Sequence, residues 1–157
     1  MTAFQIFGLQ FVMSLVVYAL LATWYVAPRL APLPLARALP PLLFLHAFRH
    51  LGMVFLVPTV VGPLLEPEFA VPAAYGDLLT AVLALAAIVA LRSGASVGVP
   101  VTWLFNVVGT IDLLNALYRG ARLEVLLGAA YYIPTFAVPA LLVTHAMIFA
   151  RLLERRR

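Results

Sequence analysis

Five apolar runs, each long enough to cross a bilayer, constrain this chain more than any other feature. A helix rises 1.5 Å per residue, so a hydrocarbon layer about 30 Å thick requires about 20 residues. The runs extend over residues 4–26, 41–61, 72–91, 97–118 and 125–149. Short connections rich in proline and glycine separate them, which is typical of turns. The pattern predicts an all-α polytopic integral membrane protein, a single bundle of five transmembrane helices.

The composition indicates which solvent surrounds this bundle. Of the 157 residues, 65% are apolar and 10% are charged, whereas about a quarter of the residues in soluble domains are charged. So few charges cannot cover a water-soluble globule of this size, so the predicted partner for most of the surface is the lipid bilayer. No polar stretch is long enough to form a second domain. The sequence therefore predicts one five-helix domain over residues 1–157.

Two missing residue types narrow the chemistry. Without cysteine, disulfides, thiolate-bound clusters and cysteine nucleophiles are excluded. Without lysine, a Schiff base to a lysine side chain is excluded. All ten positive side chains are therefore arginines, and nine of them lie in connections or at the ends of apolar runs. That placement indicates a membrane interface and not nucleic acid as the partner. No enzyme motif is present, and whether the protein is an enzyme stays open.

The arginines also predict how the bundle is oriented. With the N-terminus outside, seven arginines fall on the inner side and two on the outer side. The inner set is Arg29, Arg37, Arg92, Arg151, Arg155, Arg156 and Arg157, and the outer set is Arg119 and Arg122. Because positive residues favour the cytoplasmic side, we expect an N-out, C-in protein of the bacterial inner membrane. The last three arginines would anchor the inner end.

Six ionisable side chains lie inside the apolar runs, where each costs about 2.5–3.5 kcal/mol to insert. They are His46, Arg49, His50, Asp77, Asp112 and His145. In a regular helix, His46 and His50 share one face. Counting residues from the inner helix ends places His46 and His145 at the same depth, so the two can face each other. Asn106 lies near the level of Arg49 and His50.

The leading hypothesis is a haem b held between helices. Such a site needs imidazole ligands from opposite helices, apolar walls and a positive group for a propionate. His145 and either His46 or His50 would ligate the iron, Arg49 would lie near a propionate, and Asn106 would line the pocket. The protein would then transfer electrons, or bind or sense a diatomic gas, with an unknown redox partner or ligand.

A transporter or binding protein for protons or small molecules is the alternative. Arg49, His50, Asp77 and Asp112 would line its polar cavity. Because five helices are few for alternating access, such a transporter would act as a homodimer. In either case we expect Arg49 to pair with Asp77 or Asp112, since an unpaired buried charge is far costlier than a paired one.

An intramembrane metal hydrolase is the third and least favoured hypothesis. His46, His50 and His145 would bind a divalent metal together with an aspartate, and the metal would activate a water molecule. The depth count speaks against it, because Asp77 and Asp112 lie nearer the outer face than the histidines do.

Overall fold

The computed structural model of the protein describes residues 1–63, 65–123 and 127–154. Five helices in these ranges are long and apolar enough to cross a membrane. They are α1 Ala3–Leu30, α2 Leu35–Leu56, α3 Pro67–Arg92, α4 Gly98–Arg122 and α5 Gly128–Glu154. The described ranges contain no strand, so the all-α prediction with five long apolar helices is confirmed. The predicted start of the fifth run and the arginine tail, 155–157, lie outside the described residues.

Two helices begin earlier than the apolar runs suggest; a proline is the first residue of α3, and Pro34 directly precedes α2. The sequence places helix starts at Pro41 and Pro72, but α2 begins at Leu35 and α3 begins at Pro67. A proline at the first helical position loses no hydrogen bond because its N–H would be unpaired there anyway. Pro41 and Pro72 lie inside their helices, in the second turn.

Three helices depart from regular α geometry. The α segment of α2 ends at Ala47 and continues as a 3₁₀ segment, Phe48–Leu56, which is long for this tighter helix. A π turn lies in α1 at Ala22–Val26 and another in α5 at Ile133–Ala137. Prolines lie inside or just after both π turns, consistent with their missing N–H and their clash with the preceding turn.

Helix α3 packs against α2 and α4, while α5 contacts α1, α2 and α4. Small residues that recur at steps of three, four or seven along α3 are buried: Ala73, Thr80, Ala84 and Ala87. Small side chains let helix backbones approach closely. Helix α1 packs mainly on α5, where the hydroxyl of Tyr131 donates to Oε1 of Gln10 at 2.6 Å.

Two apolar clusters occupy opposite ends of the bundle. One gathers the N-terminal part of α2, the C-terminal ends of α3 and α5, and the start of α4, and it includes Leu39, Leu43, Ile88, Phe105 and Leu152. The other gathers the opposite ends of α2, α3 and α5, and it includes Phe55, Phe69, Ala74 and Leu127. Along α2 and α5, the buried residues His46, Arg49 and His145 lie between the residues of these two clusters.

Candidate functional site

We use the term polar centre for seven side chains that lie between the two apolar clusters. Four helices contribute to it, and its members are His46, Arg49, Asp77, Asn106, Asp112, Thr144 and His145. Six of the seven, all except Thr144, are residues that the sequence singles out as candidates for cofactor, metal or cavity contacts. The polar centre has two parts, an ion group around Arg49 and a histidine pair.

The ion group is built on Arg49, the second residue of the 3₁₀ segment of α2, whose side chain is only 1% exposed. Its Nε donates to Oδ1 of Asp77 at 2.7 Å, and its Nη2 donates to Oδ2 of Asp112. Its Nη1 donates to the backbone oxygen of Gly109 at 3.1 Å. The expected pairing of Arg49 with an aspartate is confirmed, and it involves both aspartates at once. One guanidinium thus ties α2 to α3 and α4.

The carboxylates are less enclosed than the guanidinium between them. The side chains of Asp77 and Asp112 are 14% and 15% exposed. With every group ionised, one positive and two negative charges leave the ion group with a net charge of −1. A buried charge without a partner is strongly unfavourable, so this imbalance favours a further positive charge at the two carboxylates.

The histidine pair brings α2 and α5 together. The ring centroids of His46 and His145 lie 4.1 Å apart with their planes tilted by 48°. Phe105 packs against both rings, at 5.0 Å and 5.3 Å between centroids. Both histidines are fully buried. The depth count from the sequence is confirmed here, because the two imidazoles face each other directly.

Asn106 fixes the tautomer of His145. The Asn106 Nδ2 donates to the backbone oxygen of His145 at 3.1 Å, which turns its Oδ1 toward the imidazole. Nδ1 of His145 lies 2.7 Å from that Oδ1. Because an amide oxygen only accepts hydrogen bonds, Nδ1 carries the proton of the neutral ring. Nε2 of His145 therefore presents a lone pair.

Thr144 fixes the tautomer of His46 in the opposite sense. The Thr144 Oγ1 donates to the backbone oxygen of Ala140 at 2.9 Å, which uses the single hydroxyl proton. Nε2 of His46 lies 2.9 Å from the same Oγ1 and must donate to it. Nδ1 of His46 then carries the lone pair. In the part of the chain that the structure describes, neither Nδ1 of His46 nor Nε2 of His145 has a hydrogen-bond partner.

His50 lies outside the polar centre, although the sequence groups it with His46. It is exposed, and its Nδ1 lies 2.9 Å from the backbone oxygen of Ala47. The 3₁₀ segment is the physical reason, since three residues per turn rotate the chain by about 120° per residue instead of about 100°. His50 is thereby turned away from the face that His46 occupies. The predicted roles of His50 as a ligand or a cavity residue do not match this position.

The predicted metal ligands, three histidines and an aspartate, do not all come together in the structure. The described ranges contain no group of three or more His, Asp or Glu side chains that could hold a metal ion. The two aspartates that would complete the set instead contact Arg49. The hydrolase hypothesis therefore has no ligand set in the described part of the protein.

The haem b hypothesis requires a different arrangement of the histidine pair. Metal–nitrogen bonds of about 2 Å on both sides of an iron place trans imidazole centroids about 6 Å apart. His46 and His145 are in contact at 4.1 Å, so the rings would have to separate by about 2 Å to ligate one iron between them. Haem b binding stays a prediction, and Arg49 already donates to three other groups.

Thr144, Gly109 and Phe105 belong to the site but were not identified from the sequence. Thr144 directly precedes His145, and that adjacency is the one signal that could have identified it. Gly109 contributes only a backbone oxygen and space, and Phe105 is one of ten phenylalanines. Such contributions depend on how each helix is rotated about its axis, which residue depth alone does not specify.

The sequence model of a family described as a domain of unknown function (DUF8737) matches residues 6–153. The matched region contains every residue of the polar centre. No match was found among curated proteins or among solved structures. The description of the family names no activity, so the function has to be argued from the site.

Proposed function

The chain belongs to this family of domains of unknown function, and we propose that it is an integral membrane protein whose polar centre binds and transfers protons. The observation that carries the proposal is the buried ion group, in which one arginine is shared by Asp77 and Asp112. This is the proton-transport form of the alternative hypothesis from the sequence. It uses Arg49 and both aspartates, and it replaces His50 with the pair of His46 and His145.

Membrane insertion with the N-terminus outside places the polar centre in the middle of the hydrocarbon layer. Asp77 lies ten residues from the start of α3, and Asp112 lies ten residues from the end of α4. Each is thus about 15 Å from the outer helix end. His145 lies nine residues from the end of α5, or about 14 Å from the inner end. The carboxylates would face the outer half and the histidines the inner half.

The charge of the ion group supports proton uptake at this depth. A net charge of −1 in hydrocarbon is costly, and one added proton makes the group neutral. The carboxyl group that receives the proton keeps an oxygen that can accept from Arg49. Because Asp77 and Asp112 share the same guanidinium, either of them can hold this proton while the other stays paired. The ion group is thus suited to bind one proton reversibly.

The histidine pair supports proton transfer away from the carboxylates. Nε2 of His145 presents a lone pair next to Gly109, the residue whose backbone oxygen accepts from Arg49. A proton that moves from the carboxyl group of Asp112 to this nitrogen leaves a carboxylate beside Arg49 and an imidazolium held by Asn106. His46 provides a second lone pair, on Nδ1.

A vesicle assay tests the proposal. The purified protein is reconstituted into liposomes that contain a pH-sensitive dye, and a potassium diffusion potential drives proton entry. We expect wild-type vesicles to acidify faster than empty vesicles, and Asp112→Asn and His145→Phe to reduce that rate at least about tenfold. His50→Phe is the matched control and should keep the wild-type rate. A wild-type rate equal to that of empty vesicles, or an Asp112→Asn rate equal to wild type, would contradict the proposal.

A further inference from the structure

Three glycines lie against the ionisable side chains of the polar centre, each on the helix that precedes its partner in the chain. Gly52 on α2 faces Asp77 on α3, Gly76 on α3 faces Asp112 on α4, and Gly109 on α4 faces His145 on α5. We infer that Gly52, Gly76 and Gly109 are positioning residues that seat the ionisable groups of the polar centre. This inference deepens the proposed proton transfer and rests on it for its functional meaning.

Gly52 leaves room for the whole side chain of Asp77. A Cβ atom added to Gly52 would lie 2.7 Å from Cγ and 2.8 Å from Cβ of Asp77, besides overlapping its Oδ2. Because the clash includes Cβ, which the backbone fixes, a change of rotamer cannot relieve it. Either α2 or α3 would have to move. Such a shift would separate Asp77 from Nε of Arg49, three residues before Gly52 on the same helix.

Gly76 does the same for the second carboxylate. An added Cβ atom would lie 2.5 Å from Cγ and 3.0 Å from Oδ2 of Asp112, and it would overlap Oδ1. The carboxylate therefore lies against the backbone of α3 at Gly76 while it accepts from Nη2 of Arg49. Any side chain at position 76 would occupy the place of that carboxylate. Gly76 also directly precedes Asp77, so one short stretch of α3 positions both acids.

Gly109 seats the imidazole of His145 and accepts a hydrogen bond from the ion group. An added Cβ atom would lie 2.8 Å from Cε1 and 2.9 Å from Nε2 of His145, and 2.7 Å from Cγ2 of Thr80. The backbone oxygen of Gly109 accepts from Nη1 of Arg49. This glycine is thus the point at which the ion group and the histidine pair meet.

A helix with an interior glycine is less stable than the same helix with alanine there, by about 1 kcal/mol. The presence of glycine at these three positions therefore needs an explanation. Gly8 on α1 shows what an ordinary helical glycine looks like here, because a Cβ atom added to it would meet nothing within 4 Å. Alanine at Gly8 therefore keeps every contact and improves helix propensity. Gly8→Ala is therefore a matched control for alanine substitutions at the three positioning glycines.

The first test is a double-mutant cycle on thermal unfolding in detergent. We expect Gly76→Ala to lower the melting temperature by about 5 °C, the effect of overpacking a buried contact. In an Asp112→Ala background the same change should have no effect, because the clashing carboxylate is absent. If Gly76→Ala does not fold, the double variant should still restore folded protein. An equal loss in both backgrounds, or a Gly76→Ala protein as stable as Gly8→Ala, would overturn the inference.

The second test asks whether Gly76 influences the protonation of the carboxylate that it contacts. Infrared spectroscopy follows the carboxyl band of the purified protein as the pH is changed. We expect Gly76→Ala to move the titration midpoint of that band by about one pH unit, while Gly8→Ala leaves it unchanged. An unchanged midpoint in Gly76→Ala would overturn the positioning role. Neither test measures transport. Absent proton flux in wild-type vesicles would therefore refute the proposed function, while the positioning role of the three glycines would still hold.

Discussion

Two arginines of this protein contact acidic residues of neighbouring helices, but they differ in how deeply they are buried and in how many charges surround them. Arg49 has a side chain 1% exposed and contacts two carboxylates and a backbone oxygen. Arg119, near the end of α4, has a side chain 36% exposed and lies 3.8 Å from the 73% exposed Glu68. The chemistry of the two pairs is the same. Only burial, and the number of charges enclosed together, separates them.

The comparison teaches that the cost of a change depends on the charge that is left behind. In water, an ion pair contributes little, because solvent replaces a lost partner. In an apolar bundle, a lost partner leaves an uncompensated charge. Removal of any one member of the ion group therefore destabilises the charges that remain, whereas removal of Glu68 or Arg119 leaves a charge that water can solvate.

Arg49→Met should be the most damaging single substitution. It leaves Asp77 and Asp112 buried beside each other without a cation, and removing one partner of a buried ion pair costs about 3–5 kcal/mol. Arg119→Met should change the unfolding free energy by less than about 1 kcal/mol. Chemical unfolding in detergent micelles, followed by circular dichroism, measures both. Similar losses for the two variants would show that burial does not separate these arginines.

The triple variant Arg49→Met, Asp77→Asn, Asp112→Asn sharpens the same comparison. It removes all three charges, and replacing a complete buried ion network by neutral groups is often tolerated. We therefore expect it to recover most of the stability lost in Arg49→Met, despite carrying two more substitutions. If the triple variant is less stable than Arg49→Met, the shape of the side chains and not their charge determines the stability of the ion group.

Asp112→Asn should have an intermediate effect. It leaves Arg49 paired with Asp77, a neutral arrangement, and the asparagine oxygen can still accept from the guanidinium. We expect a loss of about 1 kcal/mol, the scale of one weakened hydrogen bond. Glu68→Gln is the exposed counterpart and should leave the unfolding free energy unchanged. A loss as large as that of Arg49→Met would mean that the ion group does not carry the excess negative charge proposed here.

The same comparison shows what could be predicted from the sequence. Each helix was predictable because a bilayer requires about 20 apolar residues in a row. The pairing of Arg49 was predictable because Asp77 and Asp112 are the only acids inside the apolar runs. The contact between His46 and His145 followed from their equal depth. All of these predictions use position along the helix axis, which residue counting measures well.

The features that could not be predicted depend on rotation about the helix axis. No residue in Phe48–Leu56 marks a change from α to 3₁₀ geometry, yet this change turns His50 outward. The sharing of Arg49 by both aspartates also depends on how each helix is rotated about its axis. So do the close contacts of Gly52 and Gly76 with the aspartates. A periodic apolar helix can present several faces to its neighbours, and only packing in three dimensions selects one.

The smallest expected effect distinguishes two threonines whose hydroxyls bond to their own helix. Thr144 lies in the polar centre and also accepts from His46, whereas Thr23 is exposed on α1 and donates to backbone oxygens of its own helix. Thr144→Val should lower the unfolding free energy by about 1 kcal/mol, since it strands a buried imidazole N–H. Thr23→Val should leave that free energy almost unchanged.

The tautomer of His46 gives this last prediction a sharper readout than stability does. In the wild type, the hydroxyl of Thr144 holds the proton of His46 on Nε2. Without the hydroxyl, that preference is lost, and nitrogen NMR of histidine-labelled protein should show protonation at Nδ1 as well. His145, held by Asn106, should keep its tautomer and serves as an internal control. An unchanged His46 signal in Thr144→Val would show that another contact sets its tautomer, and would remove Nδ1 of His46 from the proposed proton path.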